Sequence, residues 1–429
     1  MQEDSAAGVK RSRGEHQLLV APGNRAVGTE SPLQMWSAES HASDLARLLA
    51  WGGLGVMVYA YFGYPALLFL VARVRRFRVS AVGSDLPCVT MIVAAWNEEA
   101  VIGDKIENTL SQDYPSDCLS LIVVSDGSTD GTDGIVEKYA AKTTRVRLLH
   151  TEGREGKSVA LNIGAAAASG DVLVMTDANA IFEPDAVRRL VHPLADPAVG
   201  AASGQLSYRK GEGTEATEGA YWRYEQIVKR IESSTGSLLG ANGSIYALRR
   251  SLYRPVKPRD VNDFRIPYEV LLQGKAVVLE PRAVSLETAA LGLWGEYGRK
   301  ARIMSRAIPT MLGLIPRTIA SRRCLMLWQL ISHKLLREVQ GIFFLGMFVG
   351  SAWGAIGGDL LLLAFLVGQL ALYSLGLLGW AAPHARLRPL RLAAHFDMIA
   401  LASIAALGRW IGGRVRPTWE PARTPGPEA

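Results

Sequence analysis

Residues 119–130, Leu-Ser-Leu-Ile-Val-Val-Ser-Asp-Gly-Ser-Thr-Asp, contain the clearest indication of the fold class in this sequence. Its apolar part, Leu119–Val124, predicts a buried strand, and the small polar residues after it predict a turn. Helical periodicity begins near Thr132. A buried strand that leads directly into a helix is the repeating unit of an open α/β sheet, whose ligands bind where the strands end. Asp126 lies at such a strand end.

The same alternation of strand and helix continues on both sides of this stretch. Further strands are predicted at Cys88–Ala95, Val146–Leu149 and Val172–Met175, and helices at Glu99–Gln112, Thr132–Ala141, Lys157–Ala168 and from Pro184 onward. This order predicts an α/β fold with a doubly wound, largely parallel sheet.

Long apolar segments flank the predicted sheet domain. The uncharged run Leu48–Ala72 is long enough to cross a hydrocarbon layer of about 30 Å. Four arginines follow it within residues 73–78, so the positive-inside rule predicts that the next domain is cytosolic. Two more spanning candidates lie at Gly341–Gly358 and Leu360–Pro383, and a third, at Leu392–Leu407, is weaker because it contains a histidine and an aspartate. The sequence therefore predicts a multi-pass protein of the plasma (inner) membrane.

These patterns divide the chain into six regions. We predict a disordered N-terminal arm (1–44), a first transmembrane helix with a basic flank (45–78), a cytosolic domain (79–302), interfacial amphipathic helices (303–338), two or three C-terminal membrane helices (339–411) and a tail (412–429). Core packing is the alternative for the amphipathic segment. The side of the membrane that holds the tail stays open, because basic residues lie on both sides of the last candidate.

Charge and composition narrow the classes of partner. The formal net charge is +7, yet many of the arginines border the apolar runs. Charge in that position favours membrane lipids over nucleic acid. The sequence has no zinc-finger or basic-zipper spacing. We therefore expect membrane lipids as partners and no binding of nucleic acid.

Two strand ends carry oxygen-bearing side chains that suit a nucleotide and a metal. Asp177 and Asn179 follow the strand Val172–Met175 with one residue between them, and hard oxygen ligands of this kind suit Mg²⁺ or Mn²⁺ on a diphosphate. Asp126 suits hydrogen bonding to a base or ribose. A helix cap at Asp177 and a simple turn at Asp126 are the alternatives.

Other polar residues stand close to predicted helix starts. Asn97 and Glu99 lie where the first strand passes into a helix, so either could meet a nucleotide or cap that helix. Lys157 and Asn162 lie near the next helix start and could reach a diphosphate. This is not a phosphate loop, because Thr151 occupies the position of its first glycine. Surface placement is the alternative for Lys157.

Asp263 is the remaining candidate. It stands between a basic, proline-containing stretch and the sequence Phe-Arg-Ile-Pro, residues 264–267. Burial there would raise its pKa and make it an acceptor of a hydroxyl proton, with a solvated surface position as the alternative. A basic cluster at residues 299–302 either faces the membrane or contacts a leaving phosphate.

Taken in order, these motifs resemble the membrane-embedded, processive-type family 2 glycosyltransferases, such as cellulose, chitin, hyaluronan and poly-N-acetylglucosamine synthases. The resemblance runs from Val89 to about Arg302 in motifs. It implies a GT-A-like fold, a nucleotide sugar (UDP-linked) as donor, and a saccharide or lipid-linked acceptor. It implies the following roles: Asn97, Glu99, Asp126, Lys157, Asn162 and Arg302 for the nucleotide sugar, Asp177 and Asn179 for the metal, Asp263 as general base, and Gly243, Tyr246 and Arg299 on the acceptor side.

Three departures from the family pattern matter. Asn179 replaces the second acid of the metal motif, and Val-Asn-Asp at 261–263 replaces Thr-Glu-Asp. Ile303 stands where the family's Gln-x-x-Arg-Trp motif has its tryptophan, which argues against processivity.

The resemblance thus implies inverting transfer from a nucleotide sugar to a growing polysaccharide or other sugar acceptor at the membrane. Addition of one sugar to a polyprenyl-linked oligosaccharide is the alternative, and a non-catalytic nucleotide-sugar sensor is a remote one. The donor sugar, the linkage, the oligomeric state and any export partner are left open.

Overall fold

The computed structural model describes residues 32–80, 86–208, 218–287, 292–382 and 387–415, together with residue 418. The strands are β1 (Val89–Ala95), β2 (Leu119–Ser125), β3 (Val146–His150), β4 (Val172–Thr176), β5 (Ile181–Phe182), β6 (Val199–Tyr208), β7 (Tyr246–Arg249) and β8 (Ala276–Glu287). The helices up to the membrane-proximal part are α1 (Pro32–Val58), α2 (Tyr64–Val74), α3 (Glu99–Leu110), α4 (Thr132–Ala140), α5 (Lys157–Ala167), α6 (Ala186–Val191), α7 (Glu218–Ser234) and α8 (Asn262–Leu272). The rest are α9 (Gly292–Ala320), α10 (Cys324–Gln329), α11 (Leu336–Glu338), α12 (Gln340–Ile356), α13 (Leu360–Ala381) and α14 (Arg388–Ile411).

The described strands form one sheet in the order β3-β2-β1-β4-β7-β6-β8-β5. β3, β2, β1 and β4 are mutually parallel, as the sequence predicts. β7 runs antiparallel to both β4 and β6, and β6 is parallel to β8. Because β7 alone is reversed between β4 and β6, the start of β7 lies at the same edge as the carboxyl ends of β4, β6 and β8.

The sheet is covered on both faces, which explains why its central strands are apolar throughout. All seven residues of β1 are buried. Alternate residues of β1 face two separate cores: Met91 and Val93 pack with α3, α4 and α6, whereas Ile92 and Ala94 pack with α5, α8 and α9. The second core extends to Met326 of α10 and to Leu330. The helices that lead to the C-terminal membrane segment therefore pack directly on the sheet domain.

Within the described part of the chain, three helical segments are long and apolar enough to cross a membrane: His41–Val74, α13 and α14. α1 and α2 join through a π-helical turn, Tyr59–Gly63, to form the first. α12 passes this test only together with the segment Cys324–Glu338, from which it is bent by 62°. The weakest sequence candidate, now α14, is thus a spanning candidate by itself, while the predicted span at Gly341–Gly358 needs its bent partner.

Two regional boundaries differ from those that the sequence predicts. Helix α1 begins at Pro32, so residues 32–44 of the predicted disordered arm are helical, and residues 1–31 lie outside the described part of the chain. The described residues from Leu45 onward form one compact unit. Most of the predicted tail, beyond Val415, also lies outside the described residues except for residue 418.

The predicted amphipathic segment, 303–338, contains most of α9, which begins inside the predicted sheet domain, and then α10 and α11. α9 runs from Gly292 through Pro309 and Pro316 without interruption. Its apolar residues divide between two partners: Ala307 and Met311 join the core under the sheet, and Met304 packs with α14. These contacts offset the cost of an internal proline, about 3 kcal/mol, and keep the helix continuous.

Candidate active site

Most of the candidate site residues lie at one edge of the sheet. The carboxyl ends of β1, β2 and β4 lie side by side there and lead into Trp96, Asp126 and Asp177. The loop before β7 and the end of β8 reach the same edge, because β7 is reversed. Residues separated by more than 150 positions in sequence therefore meet at one place, as expected for an open α/β sheet.

The loops after β1 and β2 are bonded to each other through Asn97 and Glu99. Asn97 has a positive φ of 52°, a conformation that asparagine tolerates better than most residues. Its Oδ1 accepts a hydrogen bond from the backbone N–H of Thr129 at 2.8 Å. Glu99 Oε2 accepts one from the N–H of Gly131 at 2.7 Å. Both side chains thus fix the shape of the loop after β2, and their contact with a nucleotide stays a prediction.

Asp126 is completely buried and organises the loop that precedes α5. Its carboxylate accepts hydrogen bonds from the backbone N–H groups of Glu155, at 2.8 Å, and Gly156, at 2.9 and 3.0 Å. The Thr151 hydroxyl donates a third, at 3.2 Å. Gly156 has a φ of 101°, which only glycine adopts readily. Asp126 therefore holds the turn that aims the first residue of α5, Lys157, at the sheet edge.

Lys157 and Asp177 form a direct ion pair at the centre of this edge. Burial alone would lower the pKa of Lys157, but the attraction of Asp177 outweighs it and raises that pKa. Asp177 keeps about a third of its side chain exposed, at 34%. Asn179 is exposed, whereas Ala178 between them is buried. Asp177 and Asn179 therefore present oxygen atoms to solvent beside a cationic side chain.

Asn162 has a different environment from that which the sequence suggests. Its Oδ1 accepts hydrogen bonds from the Tyr253 hydroxyl at 2.7 Å and from the Val256 N–H at 3.0 Å. Its Nδ2 donates to the Val256 carbonyl at 2.9 Å. In the structure this amide ties α5 to residues 253–256, and its predicted role toward a diphosphate has no support from these contacts.

Asp263 lies in the first turn of α8 and packs against the loop before β7. Its carbonyl accepts a hydrogen bond from the Ala241 N–H at 2.9 Å. A Cβ at Gly243 would lie 3.0 Å from Asp263 Oδ2, so a larger residue there would press on the carboxylate and shift it by a few tenths of an ångström. Burial raises the pKa of Asp263, with Asp177 adding to the rise and Lys157 and Lys229 opposing it. The structure thus brings together two residues, Gly243 and Asp263, that the sequence placed at one site.

Tyr246 lies below this site rather than on its surface. It is 1% exposed and pairs with Met175 of β4 and Ser203 of β6. Burial, together with the nearby Asp263, raises the pKa of Tyr246 well above its usual range. Tyr246 supports the floor of the site, and direct contact with an acceptor stays a prediction.

The basic residues of α9 differ in their partners and in their exposure. Arg299 forms a two-pronged ion pair with Glu296, at 2.8 and 2.7 Å. Arg302 lies one turn further along and is partly exposed. Arg306, which the sequence did not single out, donates to the Asp260 carbonyl at 2.7 Å, next to the start of α8. The only sequence signal for Arg306 is its spacing of one helical turn from Arg302.

Glu287 is a further residue that the sequence did not single out. It ends β8 and pairs in register with Tyr208 of β6. Burial raises the pKa of Glu287 to about 7, with Asp177 adding to the rise and Lys157 opposing it. Its signal in the sequence is the one that marks Asp126 and Asp177, a carboxylate directly after an apolar strand.

This fold, with its polar edge, is that of the GT-A class of glycosyltransferases. The chain superposes on a mannosyltransferase from Pyrobaculum calidifontis, solved in complex with GDP-Man and Mn²⁺, with a TM-score of 0.65 and 22% identity, over 87% of this chain and 99% of that one. The sequence profile described as Glycosyl transferase family 2 matches residues 90–255. An N-acetylglucosaminyltransferase of Bradyrhizobium elkanii is 36% identical over 29% of this chain and 69% of its own length. The chain belongs to glycosyltransferase family 2, as its motifs predict.

A second relative extends the comparison to a larger protein. The beta-monoglucosyldiacylglycerol synthase of Synechocystis sp. is 33% identical over 50% of this chain and 47% of its own length. The chain spans about half the length of several curated relatives that it matches.

Proposed function

We propose that this protein transfers a sugar from a nucleotide sugar, with inversion at the anomeric carbon, to a hydroxyl group presented at a membrane. The observation that carries this proposal is the position of Asp263. The carboxylate of Asp263 is half-buried, has a raised pKa and lies against Gly243, and the charges of Lys157 and Asp177 act on it. A base, a cation and exposed oxygen ligands beside one another are the parts that such a transfer requires.

The reaction follows from these parts. The acceptor hydroxyl attacks the anomeric carbon from the face opposite the diphosphate and forms the new C–O bond. Asp263 takes the hydroxyl proton, and the electron pair of the breaking C–O bond goes to the diphosphate. Lys157 stabilises the negative charge that develops there. One carboxylate base suffices, because inversion needs no covalent sugar–enzyme intermediate.

The residues at the edge fit a divalent metal that is shared with the donor. Asp177 offers carboxylate oxygens and Asn179 an amide oxygen, and such ligands suit Mg²⁺ or Mn²⁺. Among the residues that the structure describes, no group of three or more histidine, cysteine, aspartate or glutamate side chains is arranged to hold a metal. Asp177 and Asn179 would therefore hold the ion together with the diphosphate, and a bound metal would supply further positive charge to the leaving group.

The packing of the spanning candidates against the sheet domain indicates where the acceptor binds. α9 contacts the segment that leads into α8, where Val261 N–H donates to Thr310 Oγ1 at 3.3 Å. The same helix packs against the spanning candidate α14. We infer a multi-pass protein of the plasma (inner) membrane with the sheet domain in the cytosol, as the arginines at 73–78 indicate. Membrane lipids then surround an acceptor that is either a saccharide chain or a lipid-linked hydroxyl.

A single addition to a lipid-linked acceptor is the second candidate. Ile303 favours it, because it replaces the tryptophan of the processive motif. Product length separates the two candidates. A ladder of products supports polymer synthesis, and one added sugar supports single transfer.

The test uses the full chain in purified membranes with radiolabelled UDP-glucose, UDP-N-acetylglucosamine, UDP-galactose and GDP-mannose, each with Mg²⁺, Mn²⁺ or a chelator. We expect transfer from one of these donors, its loss with the chelator, and a decrease of about 10²- to 10⁴-fold in Asp263→Asn. Asp104→Asn, at an exposed position of α3, is the matched control and keeps wild-type activity. Undiminished transfer by Asp263→Asn would exclude the proposed base, and donor binding without any transfer would support a sensor.

A further inference from the structure

A lysine outside the predicted motifs contacts the loop that covers Asp263. Lys229 lies on α7, and its Nζ donates a hydrogen bond to Asn242 Oδ1 at 2.8 Å. Asn242 belongs to the segment 240–243, whose Gly243 packs against the Asp263 carboxylate. The contact therefore joins α7 to the loop that decides how closely an acceptor approaches the base.

Asn242 is fixed on every side, so a displacement of Lys229 reaches the loop directly. Asn242 is 7% exposed. Its Nδ2 donates to the Gly204 carbonyl, and its backbone N–H donates to Ser203 Oγ at 3.0 Å. Its Oδ1 is the acceptor that Lys229 occupies. A buried amide oxygen that loses its donor keeps the cost of desolvation without the compensating hydrogen bond, so this loop depends on the lysine.

Lys229 lies on a charged face of α7. Glu225, Lys229 and Glu232 recur at four- and three-residue spacing, which places them on one side of the helix. Glu225 pairs with Arg337 at 2.6 Å, and Glu232 pairs with His333 at 2.6 Å. Burial lowers the pKa of Lys229 to about 8, with Lys334 lowering it further and Glu225 opposing the change, so its ammonium form predominates at neutral pH. Arg337 and His333 belong to the bent segment that precedes α12.

We propose that Lys229 is a positioning residue of the sugar transfer: by holding Asn242, it keeps the Gly240–Gly243 loop in place over Asp263 and so fixes the approach of the acceptor hydroxyl. This rests on the proposed function of the site. Lys229 acts on the acceptor side only, because Lys157, Asp177 and the turn held by Asp126 do not depend on α7 for any of the contacts described above. An acceptor displaced by about 1 Å loses on the order of 10²-fold in rate.

The experiment compares Lys229→Met, Lys229→Arg and Arg230→Met in the full chain, reconstituted in nanodiscs of phosphatidylethanolamine and phosphatidylglycerol. Arg230 is the exposed neighbour on α7 and serves as control. With the nucleotide sugar that the wild type uses best, we expect Lys229→Met to lower kcat/KM for the acceptor by about 10- to 100-fold. We expect the dissociation constant for UDP or GDP, and the slow hydrolysis of the donor without acceptor, to stay within about twofold. Lys229→Arg restores most of the activity, because its guanidinium also donates to Asn242.

A second measurement reports on the loop without requiring activity. The Ala241 N–H, bonded to the Asp263 carbonyl, should exchange with deuterium about tenfold faster in Lys229→Met than in the wild type or in Arg230→Met. Peptides from β1 and β2 should exchange unchanged, which shows that the variant is folded. Unchanged exchange at Ala241 overturns the proposal, as does a parallel loss of nucleotide binding.

Asn242→Ala and the double variant complete a mutant cycle. If Lys229 acts through Asn242, the double variant loses no more acceptor kcat/KM than either single variant. Additive losses would show that Lys229 acts elsewhere. If the wild type transfers no sugar at all, the proposed function fails, while deuterium exchange at Ala241 still decides whether Lys229 holds the loop.

Discussion

The two halves of the active-site edge hold their carboxylates in opposite ways. In the donor half, residues 95–177, carboxylates accept backbone hydrogen bonds: Asp126 from the turn before α5, and Glu99 from Gly131. In the acceptor half, residues 229–306, burial instead raises the pKa values of Asp263 and Glu287. A site of this kind needs rigid geometry where the nucleotide binds and a proton acceptor where the hydroxyl arrives. The difference between the halves matches those two requirements.

Removing a donor-half carboxylate should produce the largest loss of stability. Asp126→Ala leaves the buried N–H of Gly156 and the partly buried N–H of Glu155 without their acceptor, so we expect a loss of about 2–4 kcal/mol in the free energy of unfolding. Thermal unfolding in detergent measures it. Asp117→Ala, at an exposed turn, should change little. Equal effects of the two substitutions would contradict a structural role for Asp126.

Removing the donor-half cation should affect the donor more than the fold. Lys157→Met removes the ion pair with Asp177 and the positive charge beside the leaving group, so we expect kcat/KM for the nucleotide sugar to fall about 10²-fold. Steady-state kinetics at varied donor concentration measure this. Lys138→Met, on the exposed side of α4, provides the comparison. If Lys157→Met changed only the KM for the acceptor, Lys157 would not act on the nucleotide sugar.

The acceptor half should determine the acid limb of the pH profile. A base must be ionised, and burial raises the pKa of Asp263 above that of an ordinary aspartate, about 3.9. The value of kcat/KM should therefore fall about tenfold per pH unit below that raised pKa. Activity recovered on return to neutral pH separates titration from unfolding. If kcat/KM instead began to fall only at the pKa of an ordinary aspartate, Asp263 would be exposed to solvent rather than buried.

The smallest expected effect concerns Glu287. Its pKa is raised to about 7 from 4.5, so the folded protein binds more protons than the unfolded chain between these values, and Glu287 lowers stability as pH rises through that window. Glu287→Gln should therefore gain about 1 kcal/mol over the wild type at pH 8, with no gain near pH 4.5. Unfolding temperatures at both pH values test the sign. Glu137→Gln, exposed on α4, should show no such dependence.

Local pattern predicted the donor half well, because each of its features follows a single strand. The predicted strand at Leu119–Val124 ends one residue earlier than β2, and Asp126 and Asp177 lie at the predicted sheet edge. The contacts of Asn97 and Asn162 were beyond prediction, since both amides bind segments whose position depends on the packed fold.

The acceptor half depends on long-range packing and was predicted only in part. Gly243 and Asp263 came from the family motifs, whereas Lys229, Glu287 and Arg306 reach the site through the packing of α7, β8 and α9. α9 also begins earlier than the predicted amphipathic segment, at Gly292 rather than at residue 303, because its packing on two sides depends on the folded structure.

The reversed strand β7 has an evolutionary consequence. It lets a separate stretch of chain, residues 235–306, reach the catalytic edge without passing through the loops that surround Asp126 and Asp177. We expect that changes in this stretch alter the choice of acceptor more than the choice of nucleotide, with Arg302 as the residue that both stretches share. Chimeras between family members, joined just before α7, should take their nucleotide specificity from the first part and their acceptor specificity from the second.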